Sequence, residues 1–302
     1  MAYRPSHAAA NYAIEIDGKT AGWVKSVGLP KIELEKVESK VGSFVHTAKS
    51  GGNYKHSGFD TSYSISETNK VIDWIMSLPR KSVLTTDGAI RQANHNFDAV
   101  RRVDWTIGNI TEVKLPKLTA AEGKNPFMVD FKWEAETVEW SKDSGKITAE
   151  QGTKHKAWNA ANWAADGLVG EVEWITEIEL PAITAKLGKE SYGTQRLPAL
   201  HYASIDIADI KFKISARSRD SHLDYVKKVI KDGKLSANEY LDLSITMKDP
   251  SLTQDLGVLS FLGCGLISYE EDKLEANQDK VATFTLGFSV ETFDLKFTHT
   301  DA

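Results

Sequence analysis

Eight histidines, one cysteine and a few close carboxylate pairs are the side chains in this sequence best equipped for chemistry. Zinc hydrolysis would call for an HExxH frame, and a structural zinc for cysteines paired at short spacing. Neither pattern occurs. His46, His56, His95, His155, His201 and His222 are scattered among polar segments, and solvated histidines are the expectation. Glu270-Glu271, or Glu134 with Glu136, have the residue types for acid and base work on a glycoside. Carboxylates that alternate with large apolar residues are more often the solvated face of a strand. Gly263-Cys264-Gly265 is a lone GxG without a helix behind it, which reads as close strand packing or a bulge rather than a dinucleotide loop. Cys264 has no basic neighbour in sequence and is expected to be a buried, inert thiol. Asn109-Ile110-Thr111 fits a glycosylation acceptor by pattern only. The expectation is a protein that is not an enzyme and uses no cofactor or metal.

Among the eight tryptophans, Trp23, Trp133 and Trp174 fall on alternating positions and are expected in a core. Trp158 and Trp163 admit two readings: core or interface packing, or an exposed platform for a sugar or a partner chain.

What must hold these residues in place is a soluble globular chain. Apolar residues make up 41% and charged residues 26%, and 302 residues favour two domains over one core. A net charge of -5 argues against a groove that grips nucleic acid, because such affinity comes from Lys and Arg on phosphates. It is compatible with a channel through which nucleic acid slides without sticking. No apolar run has the length of a signal peptide or membrane span. With a single cysteine and so no intrachain disulfide, the expectation is assembly in a reducing cytoplasm.

The chain repeats itself. Trp23-Val24-Lys25-Ser26-Val27-Gly28-Leu29-Pro30-Lys31-Ile32 aligns with Trp174-Ile175-Thr176-Glu177-Ile178-Glu179-Leu180-Pro181-Ala182-Ile183 at an offset of 151 (174 − 23). Ile72-Asp73-Trp74-Ile75 aligns with Leu223-Asp224-Tyr225-Val226 at the same offset. Glu136-Thr137 aligns with Glu291-Thr292 at 155 (291 − 136), so about four residues have entered the second copy. One offset across separated blocks argues for duplication. The expected division is a first β domain over 1–145, a linker over 146–169 and a second β domain over 170–302.

Each copy reads as mostly strand. Tyr12, Ile14 and Ile16 share one face before Asp17-Gly18, a turn signal. Phe131, Trp133 and Ala135 alternate with charges, as do Phe284, Leu286, Phe288 and Val290 with small polar residues. One helix per copy is expected: Glu67–Leu78, capped by Ser66 and stopped by Pro79, and Ser221–Lys231, with Ser221 opening a capping box and Gly233 ending it. Two stretches, 41–58 and 188–200, occupy the same place in their copies and read as long functional loops.

From Ile14-Glu15-Ile16-Asp17-Gly18 through Trp23-Val24-Lys25-Ser26-Val27-Gly28-Leu29, the Asp73-Trp74-Ile75 helix and the closing Glu136-Thr137-Val138-Glu139-Trp140, the sequence resembles the tail-tube proteins of tailed bacteriophages. The second copy, from Ile178-Glu179-Leu180-Pro181 to Phe261-Leu262-Gly263-Cys264-Gly265, is similar to tube proteins of a contractile lineage. The resemblance spans roughly residues 11–297. It implies two tandem antiparallel β-barrel or sandwich domains of tail-tube type, each with one flanking α-helix. It also implies homo-oligomeric rings stacked around a DNA-conducting lumen, in a virion tail assembled in the bacterial cytoplasm. Most family members carry one copy per chain; three two-copy chains would give a pseudo-sixfold ring. The implied partners are further copies of the chain, with tail sheath, tape measure, baseplate and tail terminator proteins beside them. The loop residues implied to reach an adjacent ring are Lys49, Ser50, Gly51, Gly52, Asn53, Tyr54, Lys55 and His56, with Gly188, Lys189, Glu190, Ser191, Tyr192 and Gly193. Two other readings stand beside it: a baseplate hub or tube initiator of a tail or contractile injection system, and a tandem β-sandwich adhesin that binds carbohydrate.

Overall fold

Asp17 and Gly18 both adopt left-handed backbone, with φ of 49° and 74°. Two such residues in succession make the tight turn whose twist matches that of paired strands. The alternation around them therefore becomes a hairpin of β1 (Asn11–Ile16) and β2 (Lys19–Val24). The computed structural model describes residues 11–39, 48–65, 70–80, 85–121, 123, 125–148, 158–193, 197–233, 239–272 and 281–297. It is mainly β, with two large antiparallel sheets, one of them close to a barrel, and two helices.

The first sheet adds β3 (Ser26–Gly28), β6 (Phe59–Ser64), β7 (Thr86–Ala93), the long β8 (Ala99–Lys114), β10 (Met128–Glu134) and β11 (Thr137–Lys142). Outside it, β4 (Ile32–Ser39) and β5 (Ala48–His56) pair, among the described residues, only with each other, as a two-stranded ribbon. β9 (Leu118–Thr119) leaves for the second sheet. That sheet contains β12 (Trp163–Asp166), β13 (Ile175–Glu179), β16 (Ile210–Ser215), β17 (Leu241–Lys248), the long β18 (Asp255–Glu271), β19 (Thr283–Ser289) and β20 (Thr292–Phe297). β14 (Ile183–Glu190) and β15 (Ala199–Ile207) form a second ribbon, which joins the first sheet.

Strand registers repeat at the offsets found in the sequence. Val27 lies opposite Thr61, and Ile178 opposite Phe212, both 151 residues later (178 − 27; 212 − 61). Thr61 faces Phe131 as Phe212 faces Leu286 (286 − 131 = 155). β8 slips by one residue opposite Lys132 and Trp133, and β18 slips at the equivalent place opposite Gly287 and Phe288. A bulge bends a strand and sharpens its twist. Here it turns each long strand from one layer into the other. Ile14 faces Ile90 as Ala165 faces Ile245, so β12 is the counterpart of β1 although it lies within the segment read as a linker.

The helices sit where the sequence places them, and the second begins earlier than expected. α1 is described over Lys70–Ser77, with Val71, Ile72, Trp74, Ile75 and Met76 buried. Ser66 and Glu67 lie outside the described residues, as do His46 and His155. α2 (Arg219–Val226) starts two residues before Ser221 and runs on as a π-turn over Lys227–Lys231. Ser215 accepts from the backbone N–H of Arg217 to open a preceding 3₁₀ turn, while the Ser221 hydroxyl donates to the Ser218 carbonyl. The upstream turn leaves the expected capping box nothing to cap. Gly233, at φ 64°, closes the segment as expected.

Phe59, Trp74, Trp105, Phe131 and Trp133 fill the first copy with ring centroids 4.8–6.3 Å apart. Trp158 is core, packed between Phe127 and Phe297. Trp23 and Trp174 are only half-buried: Trp23 lies against Phe97, and the Arg217 guanidinium sits 4.4 Å over the Trp174 ring. Both therefore pack against the margin of the core and lie outside its interior.

His222 departs from the expected solvated histidine. It is 1% exposed, beside Phe284, with neither ring nitrogen in a well-formed hydrogen bond. Burial holds its pKa below the ordinary value, against the weaker opposing influence of Val169, Glu171 and the Glu171 charge. The folded form is thus the less readily protonated one. Stability from neutral His222 is present above about pH 6.5 and falls by about 1.4 kcal/mol per pH unit below it, until the folded pKa is reached. Val71 occupies the equivalent place in the first copy (222 − 71 = 151). His222→Leu is expected to flatten the loss of thermal stability between pH 7 and 5; an unchanged slope would show that this imidazole does not set it.

Candidate functional site

The junction between the copies is built from backbone first. β14 adds to the first sheet at the end of β8, with Ile183 opposite Val113 and Thr184 opposite Glu112. Both Ile183 and Val113 are fully buried there. β9 repays the exchange by pairing with the outer edge of β13, Leu118 opposite Ile178, and the Ala120 N–H donates to the Thr176 carbonyl at 3.1 Å. Two sheet edges that would otherwise expose unpaired N–H and C=O groups are each closed by the other copy.

Side chains fix the register. Lys117 pairs with Glu177, and that hydrogen bond is the main cause raising its ammonium pKa. Lys189 pairs with Glu134 at 2.8 Å, and the Leu200 N–H donates to a Glu136 carboxylate oxygen at 2.8 Å. At the far end of α1, the Thr292 hydroxyl donates to the Pro79 carbonyl at 2.7 Å, and Arg80 donates to Asp294 at 2.8 Å. The sequence marks Pro79 only as a helix stop and gives no sign of Arg80 or Asp294. The signal it does carry is the Glu-Thr pair present in both copies, whose members the junction uses as Glu136 and Thr292.

Of the stretches expected as loops, 41–47 and 194–196 lie outside the described residues, and most of the rest is ribbon. Lys49–His56 all lie on β5 and Gly188–Glu190 on β14, leaving Ser191, Tyr192 and Gly193 in an exposed connection. Gly188 lies opposite His201, whose imidazole leans over it so that a Cβ there would collide with Nε2. The two ribbons meet beside Glu134–Glu136 in a cleft of about 620 Å³. Asn53, Tyr54, Lys55 and His56 line one wall; Lys189, Ser191, Tyr192 and Gly193 line the other. Lys49–Gly52, Gly188 and Glu190 stand outside it.

Among the described residues no group of three or more His, Cys, Asp or Glu is arranged to hold a metal. Cys264 is fully buried, and desolvation pushes its thiol up to about 12, far from a reactive thiolate. Gly263 beside it, at φ 65°, accompanies the bulge where β17 crosses β18. The arrangement is one for sheet-edge recognition.

No family model and no curated protein matches the chain. Among solved structures, a chain of the anti-feeding prophage baseplate is 8% identical with a TM-score of 0.40, covering 46% of this chain and 95% of its own length. A chain from the sheath/tube terminator of the extracellular contractile injection system PVC is 15% identical with a TM-score of 0.40, covering 47% and 99%. A chain of the anti-feeding prophage tube-terminating cap is 11% identical with a TM-score of 0.38, covering 52% and 97%.

Proposed function

We propose that the chain is a non-enzymatic structural component of a phage-tail-like injection particle, serving as a ring-forming hub or tube-initiating adapter. One observation carries the reading: two register-equivalent β units are joined head to tail, with one unit's ribbon completing the other's sheet. A contact between unlike faces is one that can be used again, and repetition through rotation closes a ring. A ring of doubled chains has half as many true repeats as β units, which suits a piece between a tube and something of lower symmetry. The matched chains come from particles of this kind, but the reading rests on the doubled fold and on the sequence resemblance to tube proteins.

The divergence of the copies favours the adapter over a plain tube subunit. Tyr54 and His56 of β5 stand where β15 has Ile205 and Ile207 (205 − 54 = 151), so the two ribbons present different chemistry around the ring. In this role the exposed Ser191–Gly193 connection is the part that reaches an adjacent ring. Electron microscopy of the purified chain is the test. Isolated rings of blades in alternating types are expected. Long tubes would shift the role to tube subunit, and an inert monomer would overturn both.

A further inference from the structure

The two ribbons are the same element in two situations. Ile183 and Ala185 of β14 are buried against the first copy, whereas the residues 151 earlier, Ile32 and Leu34 of β4, are 49% and 60% exposed. The receiving edges differ in the same sense. Glu112 and Val113 of β8 are covered by β14, while their counterparts 156 residues later (268 − 112; 269 − 113), Ser268 and Tyr269 of β18, pair only with β19 among the described residues. Ile267, next to them, is 49% exposed. So among the described residues there are one filled socket, one empty socket and one unused ribbon. Exposed apolar edges of this kind invite pairing.

Charge follows the same rule. The partners Arg80 and Asp294 have as their counterparts Lys231 (80 + 151) and Glu139 (294 − 155). Cation and anion are kept in place, both are exposed, and neither has an ion-pair partner among the described residues. An acid and a base retained at equivalent positions, with no ion-pair partner among the described residues, fit a contact between chains.

We propose that β4 of one chain pairs antiparallel with the β18 edge of a second copy, Ile32 opposite Tyr269 and Glu33 opposite Ser268. Lys231 of the second copy then pairs with Glu139 of the first. The contact reproduces the internal junction and deepens the ring reading, on whose head-to-tail packing it rests.

Glu33→Cys combined with Ser268→Cys tests the register in the full chain under mild oxidation. On a non-reducing gel the pair is expected to give a ladder of covalent multimers ending in a closed species, and each single variant none, since Cys264 is buried. Glu33→Cys with Glu270→Cys, two residues out of register, is expected to crosslink poorly. Separately, Lys231→Glu or Glu139→Lys alone is expected to weaken self-association on the order of tenfold by sedimentation, with the two together restoring it. No ladder from protein whose circular dichroism matches the parent overturns the contact, as does equal crosslinking by the shifted pair or absence of charge-swap rescue. Rings in micrographs without the ladder would spare the ring reading and reject this interface. A ladder from chains that never cap or seed a tube would do the reverse.

Discussion

Replacing Trp133 with alanine is expected to destabilise the first copy by about 3–5 kcal/mol, read as a lowered denaturation midpoint. The side chain is fully buried and touches Phe59, Trp74, Trp105 and Phe131, each ring 4.8–5.7 Å from its own. Four aromatic neighbours cannot collapse into the space one indole leaves, so the cavity persists. Phenylalanine should behave differently. The indole Nε1 has no hydrogen-bond partner, and an unsatisfied buried donor carries a penalty of about 1–3 kcal/mol that the swap removes. The second copy already holds Phe288 at the equivalent place (288 − 133 = 155). Trp133→Phe should therefore cost less than about 1.5 kcal/mol. A phenylalanine variant as damaged as the alanine one would show that the indole is anchored by a partner absent from this geometry.

That substitution also shows why the duplication was legible and the junction was not. Layer by layer the copies exchange Trp105 for Phe261, Phe131 for Leu286 and Trp74 for Tyr225, so size and apolarity persist while identity drifts. Alternation survives such drift, and with it the strands and the offsets. Ile32 and Ile183 look alike in sequence, yet one is exposed and the other buried, because partner geometry settles it. The ribbons read as loops for a related reason. Glycines at 51, 52 and 188, together with lysines and serines, blur strand periodicity, and neither the first ribbon nor the outer end of the second has a buried side to impose it. Arg80 and Asp294 were invisible because 214 residues separate a pair that only the docking of one copy on the other brings together.

Arg91→Met is expected to cost about 3–5 kcal/mol in the same unfolding measurement, through charge rather than volume. Arg91 donates to Asp143 at 2.7 and 3.1 Å and lies 3.6 Å from Glu15, with the two carboxylates 8% and 11% exposed as side chains. Arg102 keeps Glu15 company at 3.2 Å, so the loss falls mainly on Asp143. Burial alone would push that carboxyl up; the Arg91 hydrogen bonds, the Ser144 N–H and the charges of Arg91 and Arg102 outweigh it and hold the pKa below the usual value. A folded pKa below the unfolded one adds stability above about pH 4 that is lost as pH falls through the folded value. Without Arg91 the burial effect dominates instead, and protonation relieves the variant. The gap between parent and Arg91→Met should accordingly narrow between pH 5 and 3, and a gap of constant size would mean that packing of the arginine stem, not the buried charge, sets the cost. Arg91→Met with Asp143→Leu should recover much of the loss at neutral pH, because a buried ion pair replaced by apolar groups often comes close to neutral. The second copy points the same way: Thr246 stands where the first has Arg91 (246 − 91 = 155), and its sheet keeps the same strand order. The network is therefore an addition to the first copy, holding the segment after β11 against β7.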